Sequence, residues 1–124
     1  MRQNPNGLKI KRVYVAPVED DGTRVLVDRI WPRGLTKNRA SVALWLKSIA
    51  PTYEIRKWFN HDPVRWTEFR RLYNAELDAN KADVEQLRKL VHVGPITLLY
   101  SAKDEQHNNA VVLFEYIKNI LDDG

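Results

Sequence analysis

GPITLLYSAKDEQHNNAVVLFEYIKNIL, residues 94–121, is the stretch on which the fold turns. Gly94-Pro95 interrupts whatever helix precedes it, since glycine ends helices readily and proline cannot continue one. Ile96–Tyr100 is a short apolar run of the kind that a parallel sheet buries on both faces. A helical pattern follows at once, over about Glu105–Leu121, with Ala110, Leu113, Phe114, Ile117 and Leu121 at spacings of three and four. A buried strand leading directly into an amphipathic helix is the βα half of an α/β unit.

Working outward, Lys81–Val91 reads as a helix with Val84, Leu87, Leu90 and Val91 inward. Asp62-Pro63 is a start signal, Asp as cap and Pro in the first turn, for a helix whose face is Trp66, Phe69, Tyr73 and Leu77. Thr52–Asn60 reads as a short helix with Ile55 and Phe59 on one side. Val42, Trp45, Leu46 and Ile49 predict a further helix capped by Asn38 or Ser41 and closed at Ala50-Pro51. Leu35–Arg39 reads as loop. Two more strands stand near the N-terminus, one at about Ile10–Val15 and one at Arg24–Asp28, joined through PVEDDG, residues 17–22. The strands at 24–28 and 96–100 are expected to run parallel. The first strand's link to the second is shorter than an ordinary crossover, so its direction stays open on this reading. Residues 1–7 are polar and expected to fray.

The expected architecture is therefore α/β: a small, mainly parallel sheet of about three strands flanked by helices. The chain's 124 residues are sized for one domain, with roughly two thirds of the unfolded surface available for burial. There is no cysteine, which removes disulfides, thiolate nucleophiles and cysteine metal sites. No apolar run approaches the ~20 residues of a membrane span, and a cytoplasmic location is expected. The net charge is +4, which permits anionic ligands or nucleic acid without requiring either. Basic residues concentrate between Arg24 and Arg71.

One stretch is chemically out of place. VDRIWPRGL, residues 27–35, puts Asp28, Arg29, Trp31 and Arg33 just where a core strand ends. In open α/β sheets, ligands bind at the carboxyl ends of the strands. The second strand delivers Asp28, Arg29, Trp31, Arg33 and Gly34 there, and the strand at 96–100 delivers Ser101, Lys103 and Asp104. His107, Asn108 and Asn109 are expected in the first turn of the last helix, where free N–H groups favour an anion. The expected function is binding of an anionic small molecule (a phosphate ester, nucleotide or carboxylate), with enzymatic action an open question. Arg29, Arg33 and Lys103 would hold charge, Trp31 would stack, and Gly34, Ser101 and Asn108 would complete the ligand site. Asp28 and His107 are the acid/base candidates.

Other readings compete. Arg29 and Arg33 can simply pair with Asp28, Asp104 or Glu105, making the domain structural. Trp31-Pro32 can plug the sheet end, and Trp45, Trp58 and Trp66 read as packing residues. The basic region 24–71, with its aromatic-basic run Arg56-Lys57-Trp58-Phe59-Asn60-His61, can serve a nucleic-acid- or protein-binding module. No metal-ligand spacing, Gly-rich phosphate loop or activated-serine context is present, so no metal or cofactor is expected.

RVLVDRIWPRGL, WLKSIAP, IRKWFNHDP, WTEFRRLYNAEL and TLLYSAKDEQHNNAVVL, in that order, resemble the YeaO-like proteins, part of the group known as domain of unknown function 488. The resemblance covers about residues 10–121. It implies a compact α/β domain with a small parallel sheet, and favours a parallel first strand. It brings no reaction with it. The family's recurring polar positions match Asp28, Arg29, Trp31, Pro32, Arg33 and Gly34, then Arg56, Trp58 and Phe59, then Lys103, Asp104, His107 and Asn108. The broader group often carries a Cys-His-Arg triplet after its last strand. This chain has Asn108-Asn109-Ala110 in the equivalent stretch, which puts thiol or metal chemistry in question here.

Overall fold

In the computed structural model, residues 7–123 are described. The segment expected to fray lies, apart from Gly7, outside them. Four strands form one sheet: β1 (Leu8–Arg12), β2 (Thr23–Leu26), β3 (Leu44–Trp45) and β4 (Ile96–Tyr100). Their order is β1-β4-β2-β3, and every neighbouring pair is parallel. The direction of the first strand is thereby fixed as parallel.

Residues 13–22 link β1 to β2 without a long helix, and strand spacing explains why so short a link works. β1 and β2 flank β4, about 10 Å apart at ~4.8 Å per strand. Ten extended residues reach about 33 Å, enough to return along the sheet and cross over. The link tightens into a 3-10 turn at Glu19–Asp21. Gly22 then has φ +62°, and a Cβ there would lie 2.3 Å from the Pro95 carbonyl oxygen, so the turn requires glycine.

Among the described residues, five α-helices complete the fold: α1 (Lys37–Ala40), α2 (Tyr53–Phe59), α3 (Trp66–Ala79), α4 (Lys81–Val93) and α5 (Asn109–Asp123). The main core forms on one sheet face. There Val25, Ile96, Leu98 and Tyr100 meet Phe69, Tyr73 and Leu77 of α3, Leu87 of α4, and Leu113 and Ile117 of α5. The opposite face carries a smaller cluster of Val13, Leu26, Ala40 and Leu99, over which Trp31, Leu35, Val42 and Trp45 pack.

Three expectations are corrected. No helix spans Ser41–Ile49. Leu44-Trp45 is a two-residue edge strand, and Lys47–Ile49 is a 3-10 turn. Leu44 and Leu46 pack toward the main core while Trp45 packs on the opposite face. The true period is thus two, and it hides beneath spacings of three and four. Residues 37–39, read as loop, belong to α1, whose first turn is capped by the Thr36 hydroxyl accepting from the Arg39 N–H at 3.2 Å. The last helix starts at Asn109 rather than near Glu105. Asp104 Oδ1 accepts the backbone N–H groups of Gln106 and His107, both at 2.9 Å, which offers that backbone an alternative to helix. Asn108 then caps α5 by accepting from Val111 N–H at 3.0 Å. His107 and Asn108 therefore precede the helix instead of forming its first turn. The first two strands also sit slightly earlier than expected, leaving Asp28 just beyond β2.

Among the described residues, no helix is long and apolar enough to cross a membrane.

Candidate functional site

The parallel sheet brings the chain after β2 and the chain after β4 to one edge. Asp28 and Ser101 meet there. Ser101 donates both its backbone N–H and its hydroxyl to Oδ2 of Asp28, at 2.9 and 2.8 Å. Asn109, at the start of α5, donates its amide to the Val27 carbonyl at 3.0 Å. Trp45 donates its indole N–H to the Asp28 carbonyl at 2.7 Å. The aspartate is held from three directions. Burial pushes its carboxyl above the ordinary range, only partly offset by the hydrogen bonds from Ser101 and Asn109 and by the nearby Arg56 charge.

Arg29 turns the other way. Its guanidinium donates to the carbonyls of Ala50 and Pro51, at 2.8 and 3.4 Å, and Arg56 Nε donates to the same Pro51 carbonyl at 3.2 Å. Two arginines thus fasten the segment leading into α2. The α2 entrance is held from below, where Glu76 accepts the Thr52 backbone N–H at 3.0 Å and its hydroxyl at 2.7 Å. The buried Arg29 Nε has no partner among the described residues.

Between these elements lies a cleft of about 300 Å³. Its polar wall is Asp28, Arg29, Arg56, Lys57, Asn108 and Asn109; its apolar floor includes Phe59, Phe69 and Ala102. Tyr53, Asn60 and His61 stand at its α2 side, the last two with left-handed backbones at φ +48° and +55°. Among the described residues, Arg29, Arg56 and Lys57 make no salt bridge, whereas Arg24, Arg65, Arg70, Arg71 and Arg88 each pair with a carboxylate. Three basic residues therefore line one cleft whose walls include a single carboxylate.

The residues expected at the site divide. Asp28, Arg29 and Asn108 line the cleft. Ser101 lies behind Asp28 with its hydroxyl committed to it. Asn108 is buried and occupied on both ends, donating to the Asp104 carbonyl at 2.9 Å and capping α5. Trp31 goes to the opposite sheet face, its ring edge-on to Trp45 at 5.4 Å and its N–H on the Leu35 carbonyl at 2.8 Å. Arg33 is exposed and offers its carbonyl to the Tyr14 hydroxyl at 2.9 Å. Gly34, at φ +80°, makes an open turn, and Lys103 is exposed. His107 pairs through Nδ1 with Asp104 at 2.9 Å and meets the Trp66 ring edge-on at 5.2 Å; it does not line the cleft. Neither Arg29 nor Arg33 forms an ion pair with Asp28, Asp104 or Glu105; Arg29 serves the structure through the Ala50 and Pro51 carbonyls instead.

Arg56, Lys57, Asn60 and His61 were visible in the sequence as a basic-aromatic run, but nothing in their spacing ties them to residue 28. Tyr53 had no signal beyond its place in a short helix.

Several proteins are similar over most of their length. "Uncharacterized protein YeaO" of Escherichia coli (strain K12) is 39% identical over 113 residues, covering 91% of this chain and 98% of that protein. "Uncharacterized protein Mb3100c" of Mycobacterium bovis and "Uncharacterized protein Rv3073c" of Mycobacterium tuberculosis are each 38% identical over 110 residues, covering 89% of this chain and 92% of theirs. No solved structure matches. Residues 7–124 match DUF488-N3i, described as the inactive DUF488-N3 subclade, and the chain belongs to that family.

Proposed function

We propose that the cleft at the carboxyl ends of β2 and β4 binds an anionic small molecule and does not turn it over. The observation that carries this reading is that, among the described residues, three cations without a carboxylate partner, Arg29, Arg56 and Lys57, line one cleft, although Arg29 and Arg56 also donate to the Pro51 carbonyl. A guanidinium presents a planar fork suited to phosphate or carboxylate, and an ammonium adds a point charge. The apolar floor of Phe59, Phe69 and Ala102 lowers the local dielectric and strengthens each such contact. The description of the family as an inactive subclade supports binding over catalysis.

A nucleic-acid module receives less support. Arg24, Arg65, Arg70 and Arg71, within the basic region, are already paired with Asp21, Asp62, Glu115 and Glu68.

The test is thermal melting against phosphate, sugar phosphates, nucleotides, small carboxylates and short oligonucleotides at fixed salt. A ligand at 100 times its Kd adds about 2.7 kcal/mol, worth roughly 10 °C in a chain of this size. A small anion is expected to raise the midpoint, and Arg56→Ala to abolish the rise without unfolding the protein. A rise only with oligonucleotides, or none with any anion, sinks the reading.

A further inference from the structure

From the position of Asp28 beside the cationic wall, we infer that the ligand carries a hydroxyl or amine donor as well as its anionic group, the donor resting on Asp28. This deepens the anion-binding reading above and rests on it.

The argument begins with charge. Asp28 lines the same cleft as Arg56 and Lys57, close enough that the Arg56 charge acts on its carboxylate. A bare anion on those cations would meet a carboxylate across a space of about 300 Å³. Like charges repel, the more so where burial shields Asp28 from water. A donor hydrogen turned toward Asp28 replaces that repulsion with a charge-assisted hydrogen bond.

Hydrogen-bonding capacity points the same way. A carboxylate offers about four acceptor positions over its two oxygens. Both Ser101 donors fall on Oδ2, and Asn109 is the remaining side-chain donor acting on the group. Asp28 can therefore accept a further hydrogen from the cleft side. Ser101 holds it in place for that purpose, because its two bonds leave the carboxylate little freedom to rotate. Burial also favours the protonated form of Asp28. A ligand donor compensates the ionised form, whereas a bare anion makes ionisation harder still.

Calorimetric titration with matched probes tests this. Ethyl phosphate carries the anion alone; phosphoethanolamine and glycerol 3-phosphate add an amine or hydroxyls at similar size. In the wild-type protein, at least one of the latter two is expected to bind tenfold or more tighter than ethyl phosphate. Asp28→Asn keeps an oxygen for Ser101 but turns an amide toward the cleft and removes the charge. It is expected to bind ethyl phosphate more tightly than wild type and to erase the preference. Equal affinity for all three probes, with loss of all three in Arg56→Ala, overturns this inference and leaves anion binding intact. No binding of any probe, in wild type or variant, overturns both. Should Asp28→Asn fail to fold, the wild-type comparison alone decides.

Discussion

Asp28 and Ser101 lie 73 positions apart in the chain, yet both donors of the serine converge on one oxygen of the aspartate, at 2.9 and 2.8 Å. That bond locks the exits of β2 and β4 together, and it does so with a buried acid. Because the native carboxyl sits above its ordinary value of 3.8, the folded protein holds this proton more tightly than the unfolded chain. Its contribution to stability is therefore greatest below 3.8 and declines as pH rises through the raised native value. Asp28→Asn removes the decline. Its melting midpoint relative to wild type is expected to be higher at pH 7 than at pH 3. A relative midpoint that falls over that range would contradict the assignment.

Asp21 behaves in the opposite sense. Burial opposes its ionisation, but hydrogen bonds from Lys11, the Val18 N–H and Arg24 hold its carboxyl at about 2. Arg24, itself buried, meets it at 2.7 Å and spends its other donors on the Ala40 and Ser41 carbonyls. A shift of this size stabilises the fold by about 2 kcal/mol at neutral pH. That stabilisation is present above pH 3.8 and lost as pH falls through about 2. Asp21→Asn strands a buried guanidinium and is expected to cost about 3–5 kcal/mol, read by urea unfolding at pH 7. A loss below 1 kcal/mol would refute the buried-pair account.

Gly22→Ala tests the short crossover. At φ +62° and ψ −137° Gly22 lies outside the left-handed helical well, in a region that costs an L-residue about 1–3 kcal/mol, and the Pro95 carbonyl stands 2.3 Å from the new methyl. The expected destabilisation is at least 2 kcal/mol. A neutral variant would mean that the turn relaxes freely.

Arg29→Ala should free the Ala50-Pro51 segment from the β2 exit. The Ala50 carbonyl loses its guanidinium donor while Pro51 keeps that of Arg56, a cost of about 1–3 kcal/mol. Hydrogen exchange is expected to rise at Tyr53–Phe59 while β4 amides stay protected. Uniform loss of protection would show that Arg29 supports the whole core instead of this one junction.

Much of the fold was legible because its longer elements carry both period and punctuation. β4 lies between Gly94-Pro95 and a polar run, and α3 follows Asp62-Pro63. β3 was not legible: two residues cannot display an alternation, and their neighbours happened to imitate a helix. The start of α5 was hidden by Asp104, whose side chain captures N–H groups that a helix would otherwise direct inward. Of the residues that the rule for strand ends named, Asp28, Arg29 and Asn108 line the candidate cleft. The rule could not find that Arg56 and Lys57 face them, because that depends on where α2 lies against the sheet edge. Trp31 looked equally suited to the site, but the back of the sheet needed a large apolar cover.

The sheet order has a consequence for synthesis. β4, the last of the described strands to be made, occupies the middle position between β1 and β2. Until residues 96–100 emerge from the ribosome, β1 has no neighbour in the sheet, and β2 has only the two-residue β3. The nascent chain cannot close its sheet in stages from the N-terminus. It must hold its early strands unpaired and assemble them in one late, non-local step, the kind that slows folding and exposes strands to wrong partners.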